Sequence, residues 1–583
     1  MSMPNDGASH CQSYRGEGGF NRDDHTAGDD MTITTSATRT RATTRLASLG
    51  IAAALLLTGC AGAAGGSEAT EPVYGGDLIH LAAEAQTNFH WTEASHWENA
   101  AIVINLVDNL VAWDSQSEDV RPWLAESWEV NDDSTEFTFV LREGVTFSDG
   151  TPLDAQIVAD NIDLQGTGDE ARGIIRSTAY PTSYDRTEVV DDRTLTVYFT
   201  SPAAAFLRGL TYHTTGIVGR STLEASKEDA AQLKNLVGSG PFVLESEKAG
   251  EEYVLAKREG YDWAPEGAGH QGEAYLDSVT IQVVPEDSVR AGALEAGQAH
   301  TLRNIQPADE ENLEAAGIEI FASIPPGEPL GLTVRTDSVA TGDLRVRQAV
   351  QHGINRQEIV DTLYYTDRWV AASSALQPST PGYIDLSSEL DYDPELSNTL
   401  LDEAGWNERD SEGYRVKDGK RLWFPVYPSS AYQLAQPELE LISQQLKEIG
   451  IEFEVRLVDP SGYAAAIAEP ETSFQITQLT VADVGGRWRT KWDSTLALDS
   501  ASSSNVNVGD EKIDSLFAQI NDSANEDERT APIADIQTQI IEQAYLIPLE
   551  VNQQLFGLAE SVHGFNTTAF ARPIFYDVWL DEE

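Results

Sequence analysis

Residues 121–161 read RPWLAESWEVNDDSTEFTFVLREGVTFSDGTPLDAQIVADN, and nearly every position has a physical reading. From Glu136 to Arg142, Phe137, Phe139 and Leu141 alternate with Glu136, Thr138 and Arg142, the period of a strand with one buried face. Ser148-Asp149-Gly150 then turns the chain. Thr151 is placed to cap a helix with Pro152 at its first position and Asp154 three residues on, while Leu153, Ile157, Val158 and Ile162 line one face. The segment therefore predicts a strand, a tight turn and a helix.

Working outward, 583 residues are too many for one core and predict two or three lobes. No stretch after residue 60 approaches the roughly 18 unbroken apolar residues of a membrane span. The net charge of −57, from 38 basic against 95 acidic residues, excludes the basic footprint of a nucleic-acid binder. Acidity of this size speaks to solubility and not to the ligand.

The N-terminus is more specific. Arg39, Arg41 and Arg45 precede an apolar run from Leu46 to Leu57, and small residues follow, the pattern of a secretory signal. Leu57-Thr58-Gly59-Cys60 resembles the bacterial lipobox, which implies cleavage before Cys60 and lipidation of its thiol. Acyl chains at about 0.8 kcal/mol per buried methylene would hold such a protein on the outer face of the cell membrane. Cys60 and Cys11 are the only cysteines, so the mature chain is expected to form no internal disulfide. Met31 is the expected translation start, because the polar, Gly-rich residues before it fit no targeting pattern.

The opening segment resembles the signature of the family 5 extracellular solute-binding proteins, the peptide- and nickel-binding receptors of ABC importers. Pro122, Leu124, Ala125, Ser127 and Trp128 fill its first half, and Leu141, Arg142, Gly144, Val145, Phe147, Asp149, Gly150 and Pro152 fill its second. Further stations follow in order: Tyr74 to Ile79, Val237 to Phe242 (with Ser239 and Phe242 replacing Thr and Tyr), Tyr261 to Trp263, Tyr275 to Asp277 and Ala293 to Gln298. Asp343 to Ala349 and Ile354 to Arg356 resemble the family's later helices, with Asp343 as one cap and Asn355 and Glu358 as a capping box.

The resemblance implies an α/β fold, the two-lobed type II periplasmic-binding-protein clamshell of the dipeptide-receptor kind, with an extra small satellite lobe. It divides the chain into leader and signal peptide (1–59), flexible tether (60–72), a first lobe in pieces (73–105 and 233–324), a satellite lobe carrying the signature (106–232), a second lobe (325–544) and a C-terminal return to the first lobe (545–583). It further implies closure over an oligopeptide or similar small polar organic solute, and delivery to an ABC permease with its ATPase subunits. A monomer without cofactor is expected.

HExxH, GxSxG, a Walker loop and CxxC are all missing, so no catalytic residue is assigned. Ten histidines without an i, i+4 pair specify no metal cage, and His90 and His96 read as scattered polar residues. A nickel-chelate or haem receptor of the same fold ranks second, and a secreted peptide hydrolase is the reading from another class. For the ligand, Asp483 matches by position the family's acid that pairs with a peptide amino terminus. The following acidic-Pro pattern is replaced by Gly485-Gly486-Arg487-Trp488-Arg489. Arg487 and Arg489 can fork onto carboxylate and Trp488 can stack, which points to an anionic or aromatic group. His90 and Trp91 at the lip and Arg335 beyond the crossing complete the candidates, whereas Trp97 reads as core.

Overall fold

A computed structural model describes residues 71–581, apart from 95–96, 115–118, 430–431, 433, 497–508 and 524. The leader, Cys60, His96 and all but the end of the tether lie outside the described residues.

The body opens with strand β1 (Asp77–Ala82) and helix α1 (Trp97–Val103). Helix-forming residues continue to Leu110, yet the helix stops because Asn105 leaves the ladder. Its Nδ2 donates to the carbonyls of Ala101 and Pro573 at 2.8 and 3.1 Å, and its Oδ1 accepts from Phe575 N at 3.1 Å. Leu106 O then accepts from Gly240 N at 2.9 Å. A Cβ on Gly240 would lie 2.5 Å from the Leu106 carbonyl carbon, so this approach requires glycine.

The signature segment forms β2 (Ala125–Val130), β3 (Glu136–Leu141) and α2 (Ala155–Thr167), joined by β4 (Tyr184–Val189) and β5 (Thr194–Phe199). These strands make an antiparallel sheet in the order β2-β3-β5-β4. Phe137, Phe139 and Leu141 are buried and Glu136 is exposed, as the alternation demands. Phe137 packs edge-on against Phe199 and Phe206 at 5.6 and 5.1 Å, and burying each such ring contributes about 1.5–3 kcal/mol. The helix start differs from the expected cap. Thr151 is held back by Asp149, whose Oδ1 accepts from its amide and hydroxyl at 2.9 and 2.6 Å, and Pro152 bridges to Thr146. Asp154 is the cap instead, accepting from Ile157 N at 2.9 Å.

The first lobe continues through β6 (Phe242–Lys248), β7 (Glu252–Lys257), β8 (Ser278–Val283), β9 (Thr301–Arg303), α3 (Glu310–Ala315) and β10 (Glu319–Ser323). The chain crosses at Ile324–Pro326 into β11 (Gly327–Val334), which is buried at every residue. Then follow α4 (Leu344–His352), α5 (Arg356–Leu363), α6 (Pro394–Glu403), β12 (Trp423–Val426), α7 (Ala435–Glu448), β13 (Glu452–Val455) and β14 (Phe474–Thr480). The lobe ends with α8 (Glu511–Asp522), α9 (Glu526–Glu542) and β15 (Leu546–Glu550).

Asp343 and Asp393 cap their helices from Arg345 N and Leu396 N at 3.0 and 2.8 Å. The box at Asn355 is only half made. Its Oδ1 accepts from Glu358 N at 3.1 Å, but Gln445 of α7 intervenes, accepting from Asn355 N and donating to Glu358, each at 3.0 Å. The cap thereby also ties α5 to α7.

The return to the first lobe falls later than the expected Tyr545. β15 pairs with β11 from Thr333–Leu546 to Leu330–Glu550, in a sheet ordered β14-β11-β15. Only β16 (Gln554–Leu558) joins the first lobe, between β10 and β9 in a seven-stranded sheet ordered β10-β16-β9-β1-β8-β7-β6. Both faces of β15 are buried by second-lobe side chains, which fixes its membership. The crossings at 324–326 and 551–553 therefore run side by side.

Candidate functional site

Beside the two crossings a cavity of about 120 Å³ is lined by Trp97, Arg303 and Gln554 from the first lobe and by Tyr364, Tyr432, Gln478 and Glu550 from the second. Arg303 ends β9, with its guanidinium 3.9 Å over the Trp97 ring; Arg572 stands 4.4 Å from the same ring. Trp97, half-buried against the first-lobe core, thus also serves as a cleft wall between two cations. Arg303 is engaged on three of its five N–H donors, with Nη1 on Glu98 at 2.5 Å and Nε and Nη2 on Gln554 Oε1 at 3.2 and 3.0 Å. Burial lowers Arg572 to about 10, opposed by Tyr212 and reinforced by Arg303 and Arg487 nearby.

Apart from that cavity, Arg487 of the second lobe reaches the satellite lobe. Its Nη1 donates to Tyr212 Oη at 3.2 Å and to Thr480 O at 3.4 Å. Asp483 and Arg487 line a narrow gap of about 20 Å³ against Tyr212 and Ala205. Asp483 is nevertheless engaged from within its own lobe. Its Oδ1 accepts from Gly485 N at 2.8 Å and is ion-paired with the buried Arg529. Burial pushes its carboxyl up, but the Arg529 charge and hydrogen bond, with Arg208 beyond, outweigh burial and hold it below the usual range. The position that matches the family's acid is already neutralised.

The Trp-rich stretch has a structural partner that sequence reasoning missed. Glu328 on β11 is fully buried and collects Trp488 Nε1 at 2.7 Å, Trp492 Nε1 at 2.6 Å and Lys491 Nζ at 2.5 Å. Trp488 is wholly buried and meets Phe517 edge-on at 5.8 Å, so its indole face is inside the lobe. Arg489 Nε is turned to Asp493 at 2.6 Å. His90 lies stacked on Trp91 with ring centroids 4.5 Å apart, both buried, and Phe89 N bonds to Ala231 O at 3.1 Å. That segment packs on the satellite side, away from the cavity; burial lowers His90 to about 4, against the raising effect of Glu93. Arg335 follows the end of β11 remote from the crossing and is held by Glu469 O and Asp337, each at 3.0 Å. Of the predicted residues, the structure places Asp483 and Arg487 together at the gap between the lobes and Trp488, Arg489, His90, Trp91 and Arg335 elsewhere.

Two further acids were missed. Tyr364 Oη donates to Glu438 Oε1 at 2.6 Å, and Glu550 stands beside it at the end of β15. Burial raises Glu438 to about 7, and burial together with the Glu438 charge raises Glu550 well above the carboxylate range. A signal existed: a glutamate inside GEPLGLTV or LIPLE, strands apolar on both faces, is an anomaly worth noting. Among the described residues no group of three or more His, Cys, Asp or Glu is arranged to hold a metal ion.

The family model for bacterial extracellular solute-binding proteins, family 5 Middle, matches residues 119–488. The glutathione-binding protein GsiB of Salmonella paratyphi A is 29% identical over 350 residues, which is 60% of this chain and 63% of that relative's length. NikA from Brucella suis, solved with Fe(III)-EDTA, superposes with a TM-score of 0.72 at 23% identity, over 87% of this chain and 100% of its own. DppA from Helicobacter pylori, solved with the peptide STSA, gives 0.71 at 21% identity, over 88% and 99%. At these identities the structural likeness establishes the fold, the type II two-lobed clamshell of the dipeptide- and nickel-receptor kind.

Proposed function

The chain belongs to the bacterial extracellular solute-binding proteins of family 5, and from that premise we propose that it is the receptor of an ABC importer for a peptide-like solute. As a family member it is a binding protein and not an enzyme. The observation that carries the reading is a cavity, beside two adjacent antiparallel crossings, walled by side chains from both lobes. A solute touching both walls favours the closed state, and the permease recognises that state while its ATPase subunits consume the nucleotide. Turning a population from 1:99 to 99:1 closed takes about 5.5 kcal/mol of differential binding, within reach of a few buried polar contacts. The peptide-like class is supported by the ligands of the relatives, glutathione for GsiB and the peptide STSA for DppA, and by a cleft lined by Glu550 and by aromatic side chains.

The protein acts as a monomer anchored extracytoplasmically through lipid on Cys60. Replacing Cys60→Ala is expected to move it from the membrane fraction to the soluble fraction; unchanged sedimentation with membranes would remove the anchor from the account. For the ligand, native mass spectrometry of gently purified protein is expected to show an adduct of di- to pentapeptide mass. A haem or metal-chelate adduct would overturn the peptide reading and leave the receptor reading in place.

A further inference from the structure

We propose that Glu438 and Glu550 form a subsite for the ammonium group of the ligand, taking over the task that position assigns to Asp483. This rests on the peptide-like reading above and names how one end of that solute is held. Asp483 cannot serve without breaking its ion pair with Arg529. Glu550 lines the interlobe cavity, and Glu438 stands directly behind its wall, accepting at 2.6 Å from the hydroxyl of Tyr364, a lining residue.

The second observation is an unmet need. Both side chains are fully buried, yet Oε2 of each has no hydrogen-bond partner, and neither acid forms an ion pair among the described residues. Nor do they bond to one another, so a proton shared directly between them does not satisfy the pair. A buried polar atom in this condition costs about 1–3 kcal/mol, which a donor supplied from the cavity would recover. A primary ammonium carries three N–H donors and a full charge, so on binding it would displace the protons that burial holds on the two acids and satisfy both orphan oxygens.

The surroundings favour an organic cation. Trp97, Tyr364, Trp369 and Tyr432 line the cavity, and aromatic faces attract cations at short range. Tyr364 and Trp369 are stacked at 4.4 Å and fixed by Glu438 and Glu310, so the wall is preformed. Arg303, the cation nearest the cavity, is spent on Glu98 and Gln554. Two carboxylates with no third metal-type ligand among the described residues are a poor divalent site. About 120 Å³ holds an amine and its first carbons but not a tripeptide, so the remainder of a peptide would lie outside this cavity.

The test titrates the full-length protein by calorimetry with a pool of free-amine di- and tripeptides, glutathione included, and with the same pool N-acetylated. A panel of non-peptide amines and anions runs beside them. Acetylation is expected to weaken binding by about tenfold or more, and Glu550→Gln and Glu438→Gln to abolish the difference between the two pools. Equal binding of free and acetylated peptides to the unaltered protein overturns the ammonium subsite and leaves the peptide reading intact, whether or not the variants fold. Binding of a non-peptide amine alone, lost in Glu550→Gln, supports the subsite and overturns the peptide reading. Binding of anions alone, or of none of these compounds, overturns both.

Discussion

At the scale of single residues, the chemistry turns on which charges are already spent. Glu328 receives two indole N–H groups and an ammonium inside the second lobe. Removing one partner of such a buried pair strands the other, at a cost of about 3–5 kcal/mol. Glu328→Ala is therefore expected to lower the urea midpoint by an amount corresponding to that loss, and Glu328→Gln, which keeps an acceptor for the indoles, by less. A loss below about 1 kcal/mol would mean that Lys491 escapes to solvent and that the cluster is not a stability element. Half of this cluster was legible. Trp488, Lys491 and Trp492, spaced three and four apart, share one side of a helical turn. Their partner was not, because Glu328 is 160 residues away from Trp488 and only the sheet brings it near. A loop rich in Arg and Trp was read as facing a ligand when its tryptophans face the core. Of the arginines and tryptophans in that run, Arg487 alone lines the gap.

Among elements, reading succeeded where the signal was local. The alternation of β3, the Asp343 cap and the order of helices and strands all follow from neighbours within a few residues. It failed where a distant segment competes: Asn105 is drawn off α1 by Pro573 and Phe575, and Gln445 takes over half a capping box. The loop after α1 also holds a titrating group. Asp108 is buried, accepts from Trp263 Nε1 at 3.0 Å, and has its other oxygen unpartnered. Burial raises it from 3.8 to about 7, against the lowering effect of the Trp263 hydrogen bond and the neighbouring Ser239 hydroxyl. A carboxyl whose folded value exceeds its unfolded one favours folding when protonated. Its contribution is complete below pH 3.8 and is lost as pH rises through about 7. Thermal stability should thus fall from pH 5 to pH 8, and Asp108→Asn, whose amide oxygen still accepts from Trp263, should flatten that fall. Glu438 and Glu550 act with the same sign, so part of the slope is expected to persist. An unchanged slope in Asp108→Asn would show that Asp108 is ionised in the fold.

For the whole molecule, the two-lobed clamshell with a small satellite was legible because strand and helix stations recur in order. The return was misplaced by a few residues because LIPLE suits either sheet, and only pairing with β11 decides. The same topology sets up a contest over closure. The chain carries a net charge of −57, so bringing its lobes together opposes like charge at long range. Arg487 works the other way at short range, reaching Tyr212 across the gap at 3.2 Å. These terms differ in their response to salt. Raising ionic strength from about 0.1 M to 1 M shortens the screening length from about 10 Å to 3 Å, which removes lobe repulsion but scarcely touches a direct hydrogen bond. Small-angle scattering of the unliganded protein should therefore show a smaller radius of gyration at high salt. Arg487→Ala should be more extended than the unaltered protein at low salt and should approach it as salt rises. Its ligand affinity should fall by about fivefold at low salt, the worth of about 1 kcal/mol, since part of the binding energy then goes to closing the lobes. If the radius instead grows with salt, attraction between complementary charges on the lobes governs closure, and the arginine is one of many such contacts and not the decisive bridge.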